Sequence, residues 1–140
     1  MTRITNIVAY LTLLLAFILV LLGGFWLLYP YKPLVFNTPK FIVVTKTVKQ
    51  GGNLVYLSDY CKYLEQMPVV SRTFANDLLF ATPLITTNRP LGCNKLQIVI
   101  LVPRELPPGT YRLENTYTFQ VNPIRKIVVR QNSDNFVVTE

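Results

Sequence analysis

"PPGTYRLENTYTFQVNP", residues 107–123, alternates almost without error. Tyr111, Leu113, Tyr117, Phe119 and Val121 fall on one side. Arg112, Glu114, Thr116, Thr118 and Gln120 fall on the other. Only Asn115 interrupts the apolar file. Successive strand side chains point to opposite faces, so the pattern predicts a strand with one face on a core and one toward water. Pro107-Pro108-Gly109 supplies the turn before it and Asn122-Pro123 the turn after it.

The neighbouring segments carry the same signal. "FIVVTKTVKQ" (41–50) and "NLVYLSDYCKY" (53–63) are rich in β-branched and aromatic residues and are separated by Gly51 and Gly52 alone. That predicts a tight hairpin in which Val48 faces Val55, Ile42 faces Cys61 and Thr45 faces Ser58. Lys46 and Asp59 would then be diagonal neighbours. "MPVVSRTFANDLLFATP" (67–83) predicts two short strands around Ala75-Asn76-Asp77. "KLQIVILVP" (95–103) is a continuous apolar run, as expected of a central strand. "IRKIVVRQ" (124–131) and "NFVVT" (135–139) follow, with a turn expected at Gln131–Asp134. Seven or eight strands spaced by about ten residues, without a helical period, predict an all-β, Ig-like antiparallel β-sandwich over residues 41–140.

The start of the chain is different. "IVAYLTLLLAFILVLLGGFWLLY", Ile7 to Tyr29, has no charged residue. As a helix its length of roughly 34 Å exceeds a bilayer's hydrocarbon core of about 30 Å. The expected organisation is a short tail (1–6), a transmembrane helix (7–29), a proline-containing linker with a possible first strand (30–40), and the β domain. A cleaved signal peptide is the rival reading. The stretch is longer than such apolar regions usually are, and Leu22 with Gly24 makes a poor cleavage site. Phe25, Trp26, Tyr29 and Tyr31 read as an interfacial aromatic belt, and Pro30 and Pro33 stop the helix.

Fourteen Lys and Arg against seven Asp and Glu give a net charge of +7. The bases are scattered, and no nucleic-acid motif is visible, so nucleic acid is not the expected partner. The densest basic group is Arg125, Lys126 and Arg130. These are candidate partner contacts, set against the plainer reading of solubilising charges on an edge hairpin. Cys61 and Cys93 are the only cysteines. They suit either one disulfide in an oxidising compartment or two separate buried thiols. A signal-anchor-like start and an even cysteine count place the domain outside the cytoplasm, periplasmic or at the cell surface, as an expectation.

In immunoglobulin-like sandwiches a tyrosine near the start of a late strand bonds back across the corner, and Tyr111 stands where that residue would. Tyr29-Pro30-Tyr31-Lys32-Pro33, Gly51-Gly52 with Tyr60-Cys61-Lys62, Leu106 to Tyr111, and Asn122-Pro123-Ile124-Arg125 together give the chain a wider resemblance. It resembles small single-pass membrane proteins of bacteriophages and some bacteria, in which a short span precedes an Ig-like domain. The resemblance implies a fold and an anchor, and no chemistry.

Chemistry is hard to place in this composition. There is no histidine, hence no His-based triad, general base or zinc ligand. No phosphate-binding glycine loop or nucleophile elbow appears. Lys62 beside Cys61 could activate a thiol, but no acid-base partner accompanies it. The seven acidic residues show no glycosidase-like pair. The expectation is therefore a non-enzymatic module with no cofactor and no metal, anchored in lipid through residues 7–29. It would bind a protein or a cell-envelope component, with an exposed strand edge as the physical means. The other readings are a phage-encoded envelope factor in host exclusion or lysis, or an assembly or chaperone-like subunit of a membrane complex.

Overall fold

The computed structural model describes residues 2–140. One helix, α1 (Thr2–Leu28), leads the chain. Its stretch Asn6–Leu28 has a mean hydropathy of 2.7, and the rest of the chain buries none of it. A helix serving as the core of a soluble domain would be covered, whereas this one presents apolar side chains on all sides, as a lipid-facing helix does. The helix also takes in most of the tail expected at 1–6, because extending a formed helix costs little once its nucleus exists.

Eleven strands follow: β1 (Leu34–Phe36), β2 (Lys40–Val43), β3 (Thr47–Lys49), β4 (Asn53–Lys62), β5 (Val69–Ala75), β6 (Leu79–Ala81), β7 (Ile85–Thr86), β8 (Gly92–Leu101), β9 (Gly109–Asn122), β10 (Arg125–Ser133) and β11 (Phe136–Thr139). They form one folded-back mixed sheet, so an all-β domain stands, but not as purely antiparallel and not with seven or eight strands. In one layer β4 carries β1 and β2 on one edge and β8 on the other. In the facing layer β9 carries β5 on one edge and β10, then β11, on the other. β2 pairs with β4 through Ile42 and Val43 and runs parallel to β10 through Lys40 and Phe41, so it joins the layers along that side. The opposite side has no such strand. There β8 is one border, and the short β6 and β7, both paired to β5, are the other.

The expected hairpin register is corrected. The glycines do turn the chain: Gly52 N donates to Lys49 O at 2.8 Å, and Gly51 takes a φ of 67° that favours glycine. β3 nevertheless does not pair with β4. Val44 and Thr45 both donate to Val55 O, the chain swings away, and β3 lies parallel to β11. Ile42 therefore faces Leu57, and Val43 faces Tyr56, instead of Ile42 facing Cys61. Lys46 meets Asp134 at 3.8 Å, while Asp59 meets Lys95 at 3.4 Å, so the expected Lys46–Asp59 pair does not form. The run 95–103 forms an edge strand, not a central one, and β10 continues to Ser133 through the turn expected at Gln131–Asp134.

The alternating strand is β9. Tyr111, Leu113, Tyr117 and Phe119 are buried and Val121 is half-buried. The core has two parts. One gathers Phe41, Leu54, Tyr56, Phe74, Leu113 and Phe136 among others, and the second gathers Leu34, Tyr60, Val70, Tyr117 and Phe119. Asn115, fully buried, sits where they meet and donates to the Tyr56 hydroxyl at 3.2 Å. The break in the apolar file is thus a polar seam through the interior.

Cys61 and Cys93 lie opposite each other on β4 and β8 and are joined, with an S–S distance of 2.03 Å. The bridge closes a loop with a sequence separation of 32 residues. In the chain-entropy treatment such a loop contributes about 3.5–4 kcal/mol by restricting the unfolded chain. Replacing both cysteines by serine should lower unfolding stability by roughly that amount, read from denaturant unfolding with the midpoint and the slope both fitted, since the unbridged unfolded chain exposes more surface. Non-reducing gels of the wild type should show no free thiol.

Candidate functional site: an open strand edge and a pinned helix end

The end of the apolar helix is held by the β9–β10 tip. The last carbonyls of a helix have no partner within it. Arg125 Nη1 donates to Leu27 O at 2.8 Å and to Tyr29 O at 2.6 Å, and Asn122 Nδ2 donates to Trp26 O at 2.8 Å. A cation here also meets the negative end of the helix dipole, a favourable term of about 0.3–1 kcal/mol. A register shift between Arg125 and Lys126 separates Arg125 from the rest of its strand. Of the three basic residues singled out in the sequence, Arg125 is therefore held by the chain's own helix. Lys126 and Arg130 stay exposed on the outer face with Val128 between them. Phe25, Tyr29 and Tyr31 form a ring cluster, with centroids 5.1 Å apart for the first pair and 4.6 Å for the second. Trp26 is exposed beside them, as an interfacial aromatic group would be.

Tyr111 is buried at the other end of β9, and its hydroxyl donates to Pro107 O at 2.9 Å. That bond fixes the Pro107–Gly109 corner against the strand it starts.

The open side shows more unsatisfied chemistry. Val102 N donates to Gly52 O at 2.9 Å, which fixes the hydrogen-bond phase of the β4–β8 ladder. By the antiparallel alternation, even-numbered residues of β8 turn their N–H and C=O toward β4. Lys95, Gln97, Val99 and Leu101 then turn theirs outward, where no other strand lies among the described residues. Leu96 and Ile98, on the inner face, are only half-buried because that flank is uncovered. On the outer face Ile42, Val44, Leu57, Val99 and Leu101 are all exposed, Leu101 to 66%. A long, apolar, unprotected strand edge is what soluble proteins usually avoid, since it invites pairing with another chain.

Between β8 and the β5–β7 border lies a groove of about 330 Å³, lined by Arg72, Thr82, Pro83, Ile85, Val99, Ile100 and Leu101. Thr82 anchors one wall, its N–H donating to Arg72 O at 2.8 Å. Arg72 stands on the inner face of β5 between Val70 and Phe74, half-buried. Its Nε is shielded from water and has no hydrogen-bond partner, and no carboxylate pairs with it among the described residues. A buried donor left unmade costs about 1–3 kcal/mol, so this is a site of stored demand.

Arg89 holds the crossover from β7 to β8 in place. It is 6% exposed and donates to Ser58 Oγ on β4 at 2.9 Å and to the Tyr117 hydroxyl on β9 at 2.7 Å. Its guanidinium lies 4.7 Å from the Tyr60 ring centroid and 4.9 Å from that of Tyr117. Lys62 Nζ donates to Arg89 O at 2.9 Å, and burial lowers the Lys62 pKa, with Glu65 opposing and Arg89 assisting. Two cations thus enter the interior without a buried carboxylate. Aromatic faces, hydroxyls and carbonyls meet their charge instead.

No sequence motif marks Arg72 or Arg89. Each sits among residues that read as strand or loop, and only the pairing of distant strands brings them inside. Among the described residues no three His, Cys, Asp or Glu side chains gather closely enough to hold a metal ion. No protein-family model matches this sequence, and no curated protein matches it either.

Burial raises the Tyr117 pKa well above its ordinary value of 10.0, assisted by the neighbouring Tyr56 and opposed by Arg89 and Arg72. Below about pH 10 the phenol is neutral in both states, and its contribution to stability is complete. Above that pH the unfolded chain loses the proton while the folded one keeps it, so stability falls as pH rises. Melting temperature should decline progressively from about pH 10 upward, and Tyr117→Phe should flatten part of that decline. An equally steep decline in the variant would show that Tyr117 does not contribute to it.

Proposed function

We propose that this chain is a membrane-anchored, non-enzymatic binding module that presents its β domain outside the cytoplasm and takes a protein partner along the free edge of β8. The observation that carries the reading is that edge. Its N–H and C=O groups at Lys95, Gln97, Val99 and Leu101 are unpaired beside exposed aliphatic side chains. Addition of a partner strand would satisfy them, with main-chain bonds supplying affinity and side-chain pockets supplying selectivity. The apolar helix supports the anchor. The Cys61–Cys93 bridge supports an oxidising compartment for the domain. The Tyr111–Pro107 bond favours an Ig-like kinship for the domain, although two parallel strand pairs depart from that pattern.

Two measurements test this. Gln66 is exposed in the β4–β5 connection, so Gln66→Cys adds a free thiol without touching the core. A membrane-impermeant maleimide should label it in intact cells, and labelling only after lysis would put the domain in the cytoplasm. A photocrosslinking residue at Gln97 should capture a discrete protein adduct in native membranes. If the same group at Arg130, on the outer face of β10, captures the adduct and Gln97 does not, the partner sits elsewhere.

A further inference from the structure

The groove beside β8 lets the class of partner segment be narrowed. We infer that it receives an extended, alternating apolar segment bearing one acidic side chain, whose backbone joins β8 and whose carboxylate meets Arg72. This rests on the binding reading above and adds the chemistry of the occupant.

Three observations converge. The outward N–H and C=O groups of Gln97, Val99 and Leu101 run along the mouth of the groove, so a paired strand would lie over it. Every second side chain of that strand would point inward, against Ile85, Pro83 and Ile100. Those walls are apolar, which selects aliphatic side chains at the inward positions. Arg72 also lines the groove, and no carboxylate pairs with it among the described residues. Its cross-strand neighbour Asn115 has an equally unpartnered Oδ1, so the two do not satisfy each other. A planar guanidinium in an apolar recess fits a carboxylate, which accepts its donors in pairs and cancels its charge.

A second copy of the chain is the weaker occupant. The β8 sequence GCNKLQIVIL contains no acidic residue, so edge-to-edge self-pairing brings no carboxylate to Arg72. The net charge of +7 also opposes self-association and favours an acidic partner.

The test uses the full chain in detergent and a fluorescent nonapeptide of alternating threonine and valine, with its central valine replaced by glutamate. A sister peptide carries glutamine there. The glutamate peptide should bind at least about tenfold more tightly, and the difference should shrink as ionic strength rises. Arg72→Gln should abolish the preference, and Arg72→Lys should keep part of it. Equal binding of the two peptides to the wild type overturns the inference without any variant, as does a preference that survives Arg72→Gln. Gln97→Pro removes an outward N–H and leaves the β4 ladder intact, so it should abolish binding of both peptides. Retained binding would rule out pairing with β8. A dimer of the wild type that Gln97→Pro dissolves would assign the edge to a second copy and overturn the acidic occupant. If Gln97 captures a cellular partner while the peptides bind equally, the edge reading stands and the carboxylate inference alone falls.

Discussion

The buried guanidinium of Arg89 is the contact on which the arrangement depends. It bonds to Ser58 in one layer and Tyr117 in the other, and its own carbonyl receives Lys62. The segment that carries it is also the crossover delivering the chain from β7 to β8. A single side chain therefore ties the start of the edge strand to both layers. Burying a cation without a carboxylate is costly unless other groups take up its field. Here the faces of Tyr60 and Tyr117 and two hydroxyl oxygens do so. The Cys61–Cys93 bridge ties the same end of β8 to β4, so one end of the edge strand is fixed twice while its outer border stays open.

The polar seam explains why the core is divided. Arg89, Tyr117, Tyr56 and Asn115 form a line of polar groups across the interior, and Arg72 lies beside Asn115 on the adjacent strand. An apolar residue at 115 would remove a partner of the Tyr56 hydroxyl, which buried groups of this kind require. The seam reaches the open flank at Arg72. The domain is asymmetric as a result: β2 seals one side by pairing in both layers, and the other side ends in a groove.

The β9–β10 tip couples the apolar helix to the domain. Arg125 and Asn122 bond to carbonyls at the helix end from the β9–β10 tip. β9 runs from that tip to the Tyr111 corner, so the strand that organises the core is also the one held to the end of the apolar helix.

The sequence by itself determined the apolar helix, the strand content and the buried file of β9. Those signals are local: an unbroken apolar run, period-two alternation, and glycines and prolines at the turns. It also determined that Gly51 would turn the chain and which two cysteines were available to pair. It did not determine which strand pairs with which. The run 95–103 looks central because its composition is apolar, yet it borders the sheet, since the number of neighbours a strand has is not written in its own residues. β3 left its hairpin partner for β11 because a strand edge distant in sequence was free to accept it. The parallel pairs, the buried Arg89 and the dry Arg72 arise from the same cause. They depend on contacts between residues far apart in the chain, which only the tertiary structure brings together.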